Sequence, residues 1–223
     1  MGRGLIERRE DILDAATELF AEDGYSDAVT QKLAERLGVG KGTLYRHFPS
    51  KKDLFLAAVD RVLCRLRERL DASLLTTDDP LEGVAQAVRA YLGFFAEHPK
   101  FVELLILERA LFKDREKPTF LEHRERNLWR WRERYRSLIA DGRVRDVPVE
   151  RITDVIGHLL YGTIFTNYFA GRNEPAEAQA RDILDVVFLG ILSEPERAAR
   201  GGDGPAGGAG GEPAPRGACR DES

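Results

Sequence analysis

Apolar residues recur along this chain at intervals of three and four, and long alternating patterns are absent, so the pattern predicts helix almost throughout. A first helix is expected from Ile6 to Glu22, with Ile12, Ala16, Leu19 and Phe20 on its buried stripe and Gly24 as its stop. Two short helices follow, Val29 to Leu37 and Lys41 to His47, separated by Gly38, Val39 and Gly40. Pro49-Ser50-Lys51-Lys52-Asp53 reads as a stop and a fresh start. Ser50 can cap a long fourth helix reaching Ser73, with Asp53 answering it in a variant of the capping box. Phe55, Val59, Val62 and Leu66 recur on one face of that helix. Thr76 to Asp79 reads as a linker, and Pro80 takes the first position of the next helix. Further helices are expected over Leu81 to Glu97, Phe101 to Phe112, Pro118 to Ala140, Pro148 to Ala170 and Pro175 to Leu192. The fold class is therefore all-α, with about nine helices.

From Pro195 the pattern breaks. Residues 201–217 hold eight glycines and three prolines and almost nothing apolar beyond alanine. Such a segment buries too little surface to offset the entropy of ordering it, so a disordered tail is expected over 195–223.

Composition narrows the class without naming a function. Hydrophobic residues make up 43% and charged residues 32% of 223, an ordinary globular balance. No apolar run approaches the roughly 18 residues of a membrane span, and the charged stretch Met1 to Glu10 lacks a signal-peptide core. The two cysteines, Cys64 and Cys219, are not expected to pair, since one lies in the tail. These features predict a cytoplasmic protein without a membrane partner. The net charge of -4 hides an asymmetry. Residues 7–27 carry a net of -6, whereas residues 30–52 carry +5, from Lys32, Arg36, Lys41, Arg46, Lys51 and Lys52 against Glu35. A basic island beside an acidic helix fits either a phosphate footprint or a solvated face.

Leu33 to Asp53, LAERLGVGKGTLYRHFPSKKD, decides between those readings. Leu33, Ala34 and Leu37 give one short helix an apolar face, with Ala34 small enough for close packing. Gly38 suits the left-handed backbone of a tight turn, Val39 plugs the corner, and Leu44 and Phe48 face the core. Lys41, Thr43, Tyr45, Arg46 and His47 are left to point outward, a set suited to the major groove and its phosphates. Gly40 and Gly42, poor helix formers, let backbone amides approach a phosphate closely.

With its gapless spacing from Ile6 to Val59, this region resembles the TetR family of helix-turn-helix transcriptional repressors. The resemblance rests on Arg9, Ile12, Ala15, Ala16, Leu19, Phe20, Gly24, Tyr25, Leu33, Ala34, Gly38, Val39, Lys41, Gly42, Thr43, Leu44, Tyr45, His47, Phe48, Lys51 and Leu54. Departures stand at Ala28, Val29 and Gly40, where the family commonly places hydroxyl residues. The resemblance implies a helix-turn-helix DNA-binding domain over 1–55 and a helical effector-binding and dimerisation domain over 56–194. It further implies that Tyr45, His47, Lys51 and Thr30 contact phosphate, with Gly42 at the helix start. Lys41, Thr43 and Arg46 would then reach base edges.

The C-terminal half carries softer signals. Aromatic residues concentrate between Phe94 and Phe169, and Phe94, Phe95, Trp129, Tyr135, Tyr161 and Phe165, with Glu103 and His158, are candidates to line an effector cavity. His158 among Ile156, Leu159 and Leu160 also reads as a core histidine. The resemblance and the apolar last two helices place a homodimer interface at Leu160, Ile164, Ile183, Leu184, Val187, Phe188 and Ile191. The arginines from Arg124 to Arg136 alternate with acids and read as a solvated, salt-bridged face. His98, His123 and His158 lack metal-ligand spacing, so no metal and no cofactor is expected. Nor does the sequence offer a nucleophile with its base or a phosphate-cradling loop, which argues against an enzyme. The expected function is a repressor released from a palindromic operator by a small, largely apolar effector. The competing reading is a helical interaction protein without DNA-binding function.

Overall fold

The computed structural model describes residues 2–26, 29–172, 174–191 and 195, with the backbone alone for 2–8. Among the described residues the chain forms nine helices and no strand: α1 (Gly2–Asp23), α2 (Val29–Arg36), α3 (Lys41–His47), α4 (Lys51–Leu74), α5 (Pro80–Glu97), α6 (Lys100–Leu111), α7 (Thr119–Ala140), α8 (Val149–Ala170) and α9 (Ala176–Leu189). Most ends fall within a residue or two of expectation. The expected end of α9 at Leu192 and nearly all of the tail lie outside the described residues.

Local chemistry sets the boundaries. Ser50 caps α4: its hydroxyl accepts the Asp53 N–H at 3.1 Å and donates to the Asp53 carboxylate at 2.7 Å. Asp79 caps α5 by accepting the Leu81 N–H at 2.9 Å, with Pro80 in the first turn, where its missing N–H costs nothing. Pro118 and Pro148 sit at the N-cap positions of α7 and α8 rather than inside them.

Helix α4 is the organising element. Its 24 residues span about 36 Å at ~1.5 Å per residue, and it packs on α1, α5, α6 and α7. Leu54, Phe55, Ala58, Val59, Val62, Leu63 and Leu66, spaced three and four apart, are its buried face. One apolar cluster runs without interruption from Ile12 through α2 and α3, along α4, and into α5, α6 and α8. Residues up to Phe188 accordingly form a single compact unit, and Leu189 to Ile191 belong to a second. An aromatic knot joins the helix-turn-helix to the rest. Phe55 packs edge-on against Phe20 at 5.1 Å and Tyr25 at 5.2 Å, and Phe112, just past α6, meets Tyr25 at 5.6 Å and Phe55 at 5.7 Å. A smaller cluster of Val84, Tyr135, Leu138 and Val149 ties α5, α7 and α8. No described helix is long and apolar enough to cross a membrane.

Candidate nucleic-acid interface and ligand cavity

Helix α3 is held from behind and bare in front. Leu44 and Phe48 are buried in the core. The turn before α3 is closed by the Val39 N–H donating to the Ala34 carbonyl at 2.9 Å, with Gly38 at φ +62°, where a side chain would be strained. Gly40 is the N-cap and supplies no side-chain bond, as expected of a chain lacking a hydroxyl there. A Cβ added at Gly40 or Gly42 would meet nothing within 4 Å, so the protein's own packing does not demand glycine at either position.

Lys41, Gly42, Tyr45 and Arg46 are exposed and Thr43 is half-buried, all on α3. Tyr45 leaves 43% of its surface to solvent. Lys41 and Arg46 have no ion-pair partner among the described residues. The rest of the basic island is otherwise engaged. Lys32 pairs with Asp23 and Arg36 with Glu18, each at 2.8 Å, so the acidic α1 neutralises the cations of α2. Lys51 lies over the Tyr25 ring at 4.1 Å and donates to the Tyr25 carbonyl at 3.3 Å. Lys52 sits 5.0 Å over Phe112 and 3.7 Å from Asp114.

Two expected phosphate contacts are placed differently. Thr30 is buried at 4% exposure, which counts against its meeting DNA in this conformation. His47 is half-buried, and its Nε2 is sequestered without a hydrogen-bond partner among the described residues. Arg9, taken from the pattern only as a marker residue, holds its guanidinium 5.0 Å over the Phe48 ring and pairs with Glu10 at 3.5 Å.

A cavity of about 600 Å³ opens between α4, α5, α7 and α8. Leu66, Leu70, Val84, Val88 and Leu160 supply apolar wall. Tyr91 is among the lining residues, with its hydroxyl buried and without a hydrogen-bond partner among the described residues. Burial pushes that phenol far up, so it stays a neutral donor. Arg67 and Arg134 line the cavity, and neither has an acidic partner among the described residues. By contrast, Arg124 pairs with Asp154 at 2.7 Å and Arg130 with Asp71 at 2.9 Å.

Of the eight residues expected at an effector cavity, only Trp129 and Tyr135 line this one. Phe94 and Phe95 are buried in the core, where Phe94 packs with Phe95, His98 and Phe101. Glu103 instead accepts the Tyr168 hydroxyl. Tyr161 and Phe165, rings 4.5 Å apart, border a second hollow of about 470 Å³ with Ile106, Arg109 and Lys113. His158 is neither in a cavity nor in the core: it is exposed on α8. The arginine run on α7 is likewise no plain solvated face, since Arg124, Arg130 and Arg134 border the cavity. Periodicity places a residue on a face but cannot say what that face meets, which is why the cavity cations were missed.

The expected dimer residues divide. Ile164 and Leu184, at 2% and 7% exposure, belong to the protomer's own core, so they have little surface left for a partner. Leu160, Ile183 and Val187 are half-buried, Phe188 is exposed, and Ile191, in the second unit, is exposed. The large apolar side chains left open on α8 are Val155, Leu159, Tyr161 and Phe169, with Phe169 at 70% exposure; Val186, Phe188 and Leu189 are open on α9.

Residues 12–58 match the family described as bacterial regulatory proteins, tetR family. The chain is 39% identical over 102 residues, 46% of each chain, to the HTH-type transcriptional activator FasR of Mycolicibacterium smegmatis. The matches to the first such relatives thus span about half of their length. It is 29% identical over 191 residues to the HTH-type transcriptional repressor AcnR of Corynebacterium diphtheriae, covering 83% of this chain and 92% of that protein. Among solved structures, the transcriptional regulator FadR of Bacillus subtilis, in complex with stearoyl-CoA, shares the fold with a TM-score of 0.67 at 20% identity, covering 82% of this chain and 99% of that one.

Proposed function

The chain belongs to the TetR family of bacterial regulatory proteins through residues 12–58, and from that premise we propose that it is a homodimeric repressor released from a palindromic operator by an amphipathic anionic effector. In this reading residues 1–55 bind DNA and residues 56–194 bind the effector and the second subunit. The observation that carries it is the outer face of α3, where Lys41, Thr43, Tyr45 and Arg46 stand clear of the protein's own bonding while Leu44 and Phe48 fix the helix from behind. Cations without acidic partners and an exposed phenol suit a polyanion. Open space around Gly40 and Gly42 suits a phosphate approaching the helix start.

The open apolar stripe of α8 with Val186 and Phe188 of α9 supports a second copy as the partner. Two such subunits would set their recognition helices about 34 Å apart, in successive major grooves. The cavity supports the effector class: apolar walls suit a chain, and Arg134, without an acidic partner among the described residues, suits a carboxylate or phosphate at one end. Stearoyl-CoA, held by the FadR structure, has this chemistry and is a first probe.

Selection of bound genomic fragments by the purified protein, followed by affinity against salt, tests the reading. A short palindrome should be enriched, its affinity should fall steeply with salt, and Tyr45→Ala should lose binding while keeping the oligomeric state. Absence of any enriched sequence at low salt would refute the regulator and favour a helical interaction protein.

A further inference from the structure

One cluster of chemically reactive side chains has a role in neither reading above. Helix α4 carries Asp60 and Cys64 one turn apart, and α7 brings His123 against them. One potential ligand atom from each residue lies within 4.8 Å of the other two. His123 Nε2 is 2.6 Å from one Asp60 oxygen, and Cys64 Sγ is 3.8 Å from the other. The imidazole is buried, whereas the carboxylate and the thiol are half-buried. Cys64 is a free thiol.

We propose that Asp60, Cys64 and His123 bind a divalent transition-metal ion, with Zn²⁺ as its reference. The donor set selects the ion. Thiolate and imidazole favour the softer late first-row metals and disfavour Mg²⁺ and Ca²⁺, which want oxygen. A thiolate and a carboxylate balance the two charges of the ion while the imidazole stays neutral. Three protein ligands from two helices leave one coordination position for water or another small donor. The geometry needs only local adjustment. Asp60 already bridges the other two, and metal–ligand distances of ~2.0–2.3 Å place donors about 3–4 Å apart, close to their present spacing. Cys64 gives up its proton to the solvent, and His123 turns its Nε2 lone pair to the ion, leaving its proton on Nδ1.

Placement gives the site its interest. His123 also borders the cavity, and Asp60 and Cys64 stand on the helix that carries the helix-turn-helix core. A bound ion would pin α4 to α7 beside the effector, on elements that the empty protein joins there by a hydrogen bond.

The test uses the full chain carrying Cys219→Ser, so that Cys64 is its one thiol. Titration with Co²⁺ in chelator-free buffer should give one ion per chain, with a near-ultraviolet thiolate-to-cobalt charge-transfer band that Zn²⁺ bleaches. Adding Cys64→Ser should abolish the band. His123→Gln should weaken binding by at least the roughly tenfold that loss of an outer hydrogen-bond partner of a metal ligand costs. No band at saturating Co²⁺, or a band that survives Cys64→Ser, overturns the proposal. Should either added variant fail to fold, alkylation of Cys64 in the Cys219→Ser chain decides: Zn²⁺ must slow it, and an unchanged rate counts against the site.

Discussion

Truncating Phe55 to alanine tests the aromatic knot that makes one body of the helix-turn-helix and the helices behind it. The side chain is fully buried and touches the rings of Phe20, Tyr25 and Phe112 at centroid distances of 5.1, 5.2 and 5.7 Å. Removing a phenyl ring from a packed core costs about 3–5 kcal/mol. Three ring contacts, each worth about 0.5–1.5 kcal/mol beyond area alone, put Phe55 at the upper end of that range. Against a total stability of about 5–15 kcal/mol, the variant should lose a large share of its resistance to urea. Phe55→Leu keeps most of the apolar contact and forfeits the ring geometry, so it should lose only about 1–2 kcal/mol. The assay is urea unfolding followed by far-ultraviolet circular dichroism, with the midpoint and slope compared. A double-mutant cycle with Phe112→Ala should return a coupling of about 0.5–1.5 kcal/mol. A loss below about 1 kcal/mol for Phe55→Ala at unchanged slope would refute the knot as a tie between the two regions.

Three further outcomes are expected. Arg143, and then the Leu81 N–H that Asp79 caps, hold the Asp79 carboxyl down to about 2. Its folded value lies below the unfolded one of about 4, so its contribution is full above pH ~4 and lost as pH falls towards 2. Thermal melts at pH 7 and pH 3 should therefore show a larger acid loss for the natural chain than for Asp79→Asn, which keeps the cap acceptor; equal losses would contradict this. Phe169→Glu, at a position 70% exposed in the protomer, should leave the helical spectrum intact and weaken self-association in sedimentation runs. An undisturbed dimer would move the interface off the open stripe of α8. Arg134→Ala should weaken stearoyl-CoA binding about tenfold or more, the equivalent of one lost charged hydrogen bond. Unchanged affinity in this variant would place the anionic end elsewhere.

The order and type of the helices were legible because each is marked by its own chemistry. Ser50 with Asp53, Asp79 with Pro80, and Gly38 in the turn act within a few residues, and a single sequence displays such local signals in full. The outer face of α3 was legible for the same reason: once Leu44 and Phe48 are assigned inward, Tyr45 and Arg46 have nowhere to go but out. What the sequence hid depends on which faces meet across long separations. Phe94 and Phe95 read as cavity walls and are core, where Phe94 meets Phe101 from the next helix. Arg134 reads as one charge in a solvated ladder, but the closure of α4 and α5 over α7 turns it towards a cavity. Ile164 and Leu184 look like interface residues because an apolar stripe has the same spacing whether its partner is the same chain or another copy. Asp60, Cys64 and His123 combine both cases. The first two are visibly one turn apart, while the third comes from 59 positions beyond Cys64, and no spacing rule connects it to them.

A continuous core also constrains how an effector could act. The apolar cluster runs from α1 to α8 without a seam at the expected boundary near residue 55, so the helix-turn-helix is not a bead on a flexible tether. A ligand in the cavity would touch α4 at Leu63, Leu66 and Leu70, while Leu54, Phe55, Ala58 and Val59 of the same helix pack towards the helix-turn-helix side. Displacing the first set therefore shifts the second as a body, because close-packed side chains transmit displacement rather than absorb it. The energy available is limited to the difference in ligand affinity between the DNA-competent arrangement and the alternative. By linkage that difference is shared, so whatever factor the ligand takes from operator affinity, the operator must take from ligand affinity. A ligand that fills the cavity equally well in both arrangements would bind tightly and regulate nothing. Affinity measured on the free protein alone is then a poor guide to the effector; the ratio of affinities with and without operator identifies it.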